Sequence, residues 1–323
     1  MKTRVRLLLP LLLLGGAKTA AAQGTTWPAR PIRFIVPFGP GGPADLFARA
    51  VAQQLTEPLG QPVVVDNRPG AGAVIGTEQA AKAAPDGYTF LVISSTHTVN
   101  ETLLPTRPYA LLRDFAGVAA FNATELVLVA HPSVAAASVQ DLLRLARQQP
   151  GRLHYASSGT GTPAHLAGEL FKSLAGVDLT HVPYKASGGA RSDLLSGQVQ
   201  LMFDAIPTML EHVRAGKVKA LGTTGAQRSA ILADLPTIAE AGVAGFESAP
   251  FLGLLAPKGT PPAILQRMNE AVARVVRQDS LRQSWATQGA SALAMSPAAF
   301  EAYVQQDIDR WGRVIRAANI KPD

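Results

Sequence analysis

The sequence predicts an α/β fold built as two lobes with a ligand cleft between them. Short apolar runs alternate with Gly/Pro/Ser-rich turns and then with helical apolar stripes, a pattern typical of strand–helix–strand units. The chain has 323 residues, more than one hydrophobic core usually holds, and 47% of them are apolar, enough to fill two. A polar, Gly-containing loop follows a strand in each half, so we expect two such loops to face one cleft.

The N-terminal segment predicts export. Basic residues among the first six positions precede an apolar run over 7–14, and small residues at 20–22 form a cleavage site. We therefore expect 1–22 to be a signal peptide and the mature protein to lie in the periplasm. The apolar run is shorter than the roughly 18 residues that cross a bilayer. The chain has no Cys for lipid attachment or a disulfide, so we expect a soluble monomer without a lipid anchor.

The charge of the mature chain gives little support to nucleic-acid binding. Four of the 30 Lys and Arg residues fall in the leader, which leaves 26 basic against 23 acidic residues, a net charge of +3. The basic residues are scattered and form no patch interleaved with aromatic side chains. The sequence therefore predicts no nucleic-acid partner and is compatible with a weak attraction for anions.

The motifs of common α/β enzymes are missing or have the wrong spacing. No G-x-S-x-G nucleophile elbow is present. The glycines of Gly70–Gly76 follow G-x-G-x-x-x-G instead of the dinucleotide-binding G-x-G-x-x-G, so we interpret them as a turn packed against a helix. His165 and Glu169 stand one helical turn apart, but no third ligand lies at a supporting spacing. We therefore predict no enzyme activity, no cofactor and no metal.

The first half of the chain is predicted to alternate three strands with two helices. Ile32–Val36 is the first strand, and the helix after it carries apolar residues at helical spacing. That stripe consists of Leu46, Phe47, Ala50, Val51 and Leu55. A strand over 62–66, a helix over 73–83 and a strand over 89–93 complete this half.

The second half repeats the order strand, polar loop, helix, although the two halves do not align well enough to be called a sequence repeat. Strands are predicted over 126–129, 153–156 and 251–256, and helices over 261–278, 280–288 and 297–319. The helix after 153–156 has an apolar stripe of Leu166, Leu170, Phe171 and Leu174. Because terminal helices commonly cover the first sheet, we predict one lobe from 25–122 plus 250–323 and another from 123–249.

Two loops are candidates for binding an anion. Pro37–Pro43 precedes a helix, and its glycines allow close approach of the backbone while the helix start offers free N–H groups and a positive dipole end. Ser157–Thr162 holds the corresponding place and adds hydroxyl donors. A carboxylate fits both, although each loop could instead need its glycines only for turn geometry. Asp45 and Arg49 are expected to pair on the helix surface, with a ligand contact by Asp45 as the alternative.

The residues of the first loop resemble a known family motif. Pro37–Arg49, with the sequence PFGPGGPADLFAR, looks like the first-lobe motif of the Bug family, the substrate-binding receptors of tripartite tricarboxylate transporters. The resemblance runs from about Trp27 almost to the C-terminus. Its further motifs are Asn67–Gly72, Asp86–Tyr88, Ser157–His165, Val182–Lys185, Leu235–Thr237 and Glu240–Gly242.

The resemblance implies a periplasmic binding protein type II fold whose lobes close on a small organic acid or its amide. Receptors of this family hold a ligand carboxylate largely with loop amides, hydroxyls and ordered waters. The implied ligand-binding residues are Phe38, Gly41, Gly42, Asp45, Ser94, Thr96, Ser158, Thr160, Thr162, His165, Lys185, Ala186 and Asp204. Ala73 and Ala186 depart from the family pattern, which commonly has Gly at both positions, and Ala186 belongs to the loop at the second-lobe rim.

The resemblance also implies the partners. They are the organic acid and the membrane subunits of a transporter. A sensor subunit that presents its closed form to a membrane histidine kinase is one alternative, and a periplasmic α/β enzyme acting on a small acid is another. Neighbouring genes for transporter subunits or a kinase would separate the first two, and a nucleophile–base pair in the cleft would indicate the enzyme.

Overall fold

The computed structural model describes residues 27–184 and 187–322. The predicted signal peptide and two of the predicted ligand-binding residues, Lys185 and Ala186, lie outside this range. The strands described are β1 Ile32–Val36, β2 Val63–Asn67, β3 Thr89–Ser94, β4 Phe115–Thr124, β5 Leu126–Ala130, β6 His154–Ser157, β7 Thr180–Pro183, β8 Leu201–Ala205, β9 Lys219–Thr223, β10 Phe251–Pro257 and β11 Ala290–Ala292. The helices described are α1 Pro43–Leu59, α2 Val74–Ala81, α3 Ser95–Leu103, α4 Leu111–Asp114, α5 Val139–Gln148, α6 Pro163–Ala175, α7 Ser187–Leu195, α8 Ile206–Arg214, α9 Pro262–Val276, α10 Asp279–Ala286 and α11 Pro297–Ala317.

The described strands form two separate sheets. The first has the order β11-β4-β10-β3-β1-β2, and the second has the order β7-β6-β8-β5-β9. The chain passes from the first sheet to the second between β4 and β5, and it returns between β9 and β10. This division of strands supports the predicted lobe boundaries, which stay a prediction.

Both sheets are mixed, whereas the sequence pattern led us to expect parallel strand–helix–strand units. β1 is parallel to β2 and β3, but β10 is antiparallel to β3 and β4. In the second sheet, β6 is parallel to β7 and β8, but β5 is antiparallel to β8 and β9. β5 and β10 are the strands that follow a crossing between sheets. Each enters its sheet from the side where the parallel strands have their C-terminal ends, so it has to run in the opposite direction.

Helix α1 buries most of the predicted apolar stripe, but not its first residue. Phe47, Val51 and Leu55 are buried as expected, together with two alanines of the same face. Leu46 is 52% exposed, so its assignment to the apolar stripe was wrong. In a helix it points about 100° away from Phe47, outside the stripe that packs on the sheet.

The helix after β6 shows the same kind of error at its end, and several helices were not predicted, α3 at the cleft among them. Leu166, Leu170 and Phe171 are buried, but Leu174 is 44% exposed in the last turn of α6. Helix α3 was not predicted, because its sequence STHTVNETL is rich in residues that compete with the backbone for hydrogen bonds and resembles a loop. Among the described helices, none has both the length and the apolar composition needed to cross a bilayer.

Helix α11 packs against elements of both sheets. It contacts α3 and β4 on one side and α6 on the other. Its residues Trp311, Val314 and Ile315 share a buried cluster with Leu166 and Leu170 of α6 and with Val99 of α3. Lobe 1 was predicted to include this helix, but its core contacts connect it to both halves of the molecule.

The glycine-rich segment after β2 is a tight turn. Ala71 and Ala73 have φ values of +47° and +79°, in the left-handed region that non-glycine residues rarely adopt. The Asn100 side chain donates to the Gly72 carbonyl at 2.8 Å and holds the turn. A Cβ on Gly76 would lie 2.6 Å from the carbonyl oxygen of Arg68, so Gly76 has the packing role that we predicted.

We expect Ala71→Gly to raise the free energy of unfolding by about 1 kcal/mol, because glycine adopts a positive φ without steric cost. Ala71 is exposed, so little buried surface is lost. Ala302→Gly, at an exposed position inside α11, is the matched control and is expected to destabilise by about 1 kcal/mol. Urea denaturation measures both changes. A destabilised Ala71→Gly variant would mean that the turn carries no strain.

Candidate ligand-binding cleft

A cleft of about 530 Å³ lies between the two sheets. Strands β1, β3, β6 and β8 all end at this cleft, and the last residues of these strands together with the segments that follow them supply most of its lining. The crossing segments at 124–126 and 250–252 complete the wall. In α/β proteins, ligands bind at such carboxyl ends because the helices that follow start there with free N–H groups. We call 37–42 the first-sheet loop and 157–162 the second-sheet loop.

Asp45 holds the first-sheet loop in place. The Gly41 backbone N–H donates to its Oδ2 at 2.9 Å, and Asn67 Nδ2 donates to its Oδ1 at 2.9 Å. Arg49 Nε donates to both carboxylate oxygens, at 2.9 and 3.0 Å. Burial would raise the pKa of the Asp45 carboxyl, but the hydrogen bonds from Arg49, Gly41 and Asn67 outweigh it and keep the pKa below its usual value.

The predicted pair of Asp45 and Arg49 is therefore formed, but not on the helix surface. Asp45 is only 2% exposed, and both of its oxygens accept hydrogen bonds from the protein. Because the carboxylate lies at the start of α1, it also offsets the positive end of the helix dipole from inside the protein. Asp45 thus shapes the loop and does not line the cleft.

His165 holds the second-sheet loop in the same way. The Gly161 backbone N–H donates to His165 Nδ1 at 3.0 Å. The hydroxyl of Thr162 donates to the Gly159 carbonyl at 2.7 Å, and the Gly159 N–H donates to Ser157 Oγ at 3.2 Å. Gly161 has a φ of +74°, close to the +79° of Gly41, so the two loops turn alike at this residue, although Gly159 has a positive φ and Gly39 does not.

The two loops share a seven-residue pattern that the sequence analysis missed. Gly39–Asp45 reads GPGGPAD and Gly159–His165 reads GTGTPAH, so both follow G-x-G-x-P-A-x. In each, the third residue donates its N–H to the side chain of the seventh, and the proline begins the helix. A search for short shared patterns, instead of an alignment of whole halves, would have found it.

Helix α3 begins at the cleft with a reciprocal cap. The Ser94 backbone N–H donates to His97 Nδ1 at 3.1 Å, and the Thr96 N–H donates to Ser94 Oγ at 3.3 Å. His97 is fully buried and lies edge-on to Phe38, with ring centroids 5.8 Å apart. Burial lowers the pKa of His97 to about 4, although its hydrogen bond with Ser94 acts in the opposite direction.

Asp204 reaches the cleft from the end of β8, already paired. Arg191 donates to its Oδ2 through Nε at 3.0 Å and through Nη2 at 2.9 Å, and the Ala205 N–H donates to its Oδ1 at 2.9 Å. The carboxylate is therefore neutralised by a partner from α7. It contributes an acceptor to the wall of the cleft without adding a net charge.

The structure divides the predicted site residues into two groups. Six line the cleft: Phe38, Gly42, Ser94, Thr96, Ser158 and Asp204. The lining does not include the following five, which belong to the two loops and to the first turns of α1 and α6: Gly41, Asp45, Thr160, Thr162 and His165. Direct ligand contact by any of these residues stays a prediction, and Lys185 and Ala186 lie outside the described residues.

Sequence reasoning missed much of the apolar wall. Residues on both crossing segments and on β8 line the cleft, and they include Leu126, Met202, Phe203, Phe251 and Leu252. Each belongs to an apolar strand that the sequence marks only as core. Their place at the cleft follows from where each strand enters or leaves its sheet, so no local pattern identifies them.

A sequence profile described as the tripartite tricarboxylate transporter family receptor matches residues 47–320. The chain belongs to this family. Protein BugT of Bordetella pertussis is 37% identical over 321 residues, which cover 99% of this chain and 98% of BugT. The resemblance based on the loop motifs is thereby confirmed, and the family is one of solute-binding receptors.

Solved structures of other proteins confirm the predicted two-lobed α/β fold of the periplasmic binding proteins. Rpa4515 of Rhodopseudomonas palustris, solved with adipate, is 38% identical with a TM-score of 0.74, and the match covers 92% of this receptor and 100% of that chain. MatC from the same organism, with bound malate, is 33% identical with a TM-score of 0.70 and coverage of 90% and 100%. A TctC solute-binding protein from Polaromonas is 26% identical with a TM-score of 0.82, at the same coverage.

We expect the receptor to lose stability as the pH falls from about 6.5 towards 4, and His97 to cause part of this loss. Its folded-state pKa of about 4 lies below the usual value of 6.5. Unfolding therefore takes up a proton in this window, and the stability present above pH 6.5 is lost as the pH drops. The share of His97 is on the order of 3 kcal/mol at most.

His97→Gln tests this expectation, because glutamine at the third helical position retains the capping box and does not titrate. The difference in unfolding free energy between the wild type and this variant should shrink between pH 7 and pH 4, as measured by urea denaturation. A difference that stays constant with pH would contradict the role of His97.

Proposed function

We propose that this receptor captures a small organic acid in its cleft and passes it to the membrane subunits of a tripartite tricarboxylate-type transporter, after the predicted signal peptide has directed it to the periplasm. One observation supports the ligand class above all. The same helix-start loop stands on both sides of one cleft. Helix starts stabilise anions through their N–H groups and dipoles. Adipate and malate, bound in two related structures, are both carboxylates.

Hydrogen bonds alone are sufficient for the affinity that such a receptor needs. A charge-assisted hydrogen bond contributes roughly 1.5–3 kcal/mol, and micromolar binding requires about 8 kcal/mol net. Ordering and desolvation consume much of the gross sum. Tight binding therefore needs donors from both loops at once, and this requirement favours closure of the two lobes on the ligand.

The wall between the two loops favours an acid with an apolar segment. Side chains from both sheets contribute to it, including Phe38, Leu126, Met202, Phe251 and Leu252. Ligand carbon buried against them contributes roughly 25 cal/mol per Å². The hydroxyls of Ser94, Thr96 and Ser158 are placed to orient polar groups at the loops. We therefore propose a ligand that combines a carboxylate with a short alkyl chain or a ring.

The proposal includes binding but no catalysis. The family and the fold are those of solute-binding receptors. The cleft lining comes from the loops of one chain, so we propose that a monomer is sufficient for capture. Release then depends on reopening of the cleft, which the membrane subunits would promote by binding the open form better than the closed one.

An organic acid is expected to raise the melting temperature, whereas NAD⁺ and Zn²⁺ are not. A ligand that binds only the folded state stabilises it by mass action, by about 2.7 kcal/mol at 100 times its Kd. A thermal-shift screen with adipate, malate, citrate and benzoate measures this effect. The proposed function would be wrong if NAD⁺ or Zn²⁺ gave the largest shift and no acid gave any.

Gly42→Val is expected to abolish binding without unfolding the receptor. Gly42 has a φ of −80°, which valine tolerates, and a Cβ there would lie 3.7 Å from the nearest atom, the Gly39 carbonyl oxygen. The side chain would therefore occupy the cleft. Ser158→Ala should weaken binding by about 1–3 kcal/mol if its partner on the ligand is left unsatisfied.

Calorimetry with the acid that gives the largest thermal shift measures both affinities. Ser284→Ala, at an exposed position on α10, is the control for loss of a hydroxyl and should bind like the wild type. Undiminished binding by both cleft variants would mean that the two loops are ordinary strand-to-helix turns and that the site lies elsewhere.

A further inference from the structure

Two histidine rings are stacked behind the second-sheet loop. His165 on α6 and His181 on β7 lie with ring centroids 3.9 Å apart and an angle of 12° between their planes. Tyr155 on β6 extends the stack, 4.9 Å from His181. His165 is 5% exposed. Tyr155 is also buried and His181 is half-buried, so the stack is largely shielded from solvent.

Both rings are hydrogen-bonded to the loop. His165 Nδ1 accepts the N–H of Gly161 at 3.0 Å, so this nitrogen carries no proton and the ring is neutral. His181 Nε2 lies 2.7 Å from Ser157 Oγ, which in turn accepts the N–H of Gly159 at 3.2 Å. The two bonds fix the loop at both ends, and Ser158 of the cleft lining lies between them.

The surroundings of His181 oppose its protonation. The groups that face it are His165, Glu169 and Lys172 of α6 and Tyr155 of β6. Glu169 accepts hydrogen bonds from Tyr155 at 2.6 Å and from Lys172 at 2.9 Å, and its Oε1 lies 4.0 Å from His165 Nε2. Burial, reinforced by His165 and Lys172 and opposed by Glu169, lowers the pKa of His181 to about 4.

We infer that His165 is a positioning residue, because its neutral ring, stacked on His181, holds the second-sheet loop in its ligand-binding shape. Protonation of the pair releases the loop and lowers the affinity for the ligand. This inference rests on the proposed function of the cleft. A protonated Nδ1 would turn an N–H towards the N–H of Gly161, so the bond between them breaks. Two stacked cations would also repel each other in a poorly solvated place.

The first-sheet loop provides an internal comparison. Asp45 occupies the position that corresponds to His165, and its oxygen accepts the N–H of Gly41 at 2.9 Å. Its pKa lies below the usual value, so it stays an acceptor as the pH falls. Only the second-sheet loop should therefore lose its support as the pH approaches 4. A short side chain with an oxygen evidently reaches the loop N–H from this position, which suggests asparagine as a neutral replacement for His165.

Two variants separate positioning from a merely structural role. His165→Asn keeps an acceptor for the N–H of Gly161 and does not titrate, whereas His165→Leu has no acceptor. At pH 7.5 we expect His165→Asn to bind adipate within about threefold of the wild type, and His165→Leu to bind about tenfold more weakly because a loop N–H loses its partner. By pH 4, where a group with the pKa of His181 is half protonated, the wild type should have lost about twofold in affinity relative to His165→Asn.

Calorimetry with adipate measures these affinities at each pH, and protonation of adipate itself cancels in the comparison between proteins. Parallel pH profiles for the wild type and His165→Asn, or wild-type affinity in His165→Leu, would overturn the inference. Near-ultraviolet circular dichroism checks that each variant is folded at each pH.

A readout without ligand distinguishes this inference from the proposed function. In ¹⁵N-glycine-labelled receptor, the amide signal of Gly161 should titrate with pH in the wild type and stay constant in His165→Asn. If no acid binds but this difference is present, the proposed function fails while the positioning role holds. If acids bind but the Gly161 signal is equally constant in both proteins, the positioning role is wrong.

Discussion

Each helix that starts at the cleft has backbone N–H groups without partners, and the shape of the site depends on how the protein uses them. A helix start leaves several donors unsatisfied. At α1 and α6 a side chain from the first turn, Asp45 or His165, accepts the N–H of the loop residue just before the cap. At α3 His97 accepts the N–H of the cap residue Ser94, and at α8 Asp204 accepts that of the cap residue Ala205. These acceptors fix the loops, and at α1 and α6 no side chain caps the N–H groups of the first turn.

The two loops are held by side chains of different chemistry. The first-sheet loop rests on a carboxylate that a guanidinium and an amide hold in its charged form. The second-sheet loop rests on an imidazole that must be neutral to accept. Gly41 and Gly161 differ in φ by only a few degrees, whereas Gly159 has a φ of +129° and Gly39 has no positive φ. The loops therefore share one turn residue but differ in the electrostatic environment that they present to an anion.

The parts of this architecture that depend on local pattern could be predicted from the sequence. β1 lies at Ile32–Val36 as expected, and the Pro and Gly residues before α1 and α6 correctly indicated helix starts. The parts that depend on the path of the chain could not. Nothing local shows that β10 enters antiparallel, that Leu252 reaches the cleft or that Leu174 lies beyond the edge of the core. Helix α3 was not predicted because it is rich in polar residues, which usually indicate a loop. Here Ser94 and His97 form a capping box at the start of the helix.

The strand order also sets a sequence of events during folding. The second sheet is built from one continuous stretch, 126–223, whereas the first needs β10 and β11 to join strands formed from the opposite end of the chain. Contacts between such distant segments are slow to form because a long loop has to close first. A chain that emerges N-terminus first from a membrane channel can complete the second sheet early, but the first has to wait for residues near the C-terminus. Until then β1 to β3 form an unfinished sheet with an exposed edge strand. At this stage the chain is most susceptible to proteolysis and aggregation, because the edge strand can pair with other chains.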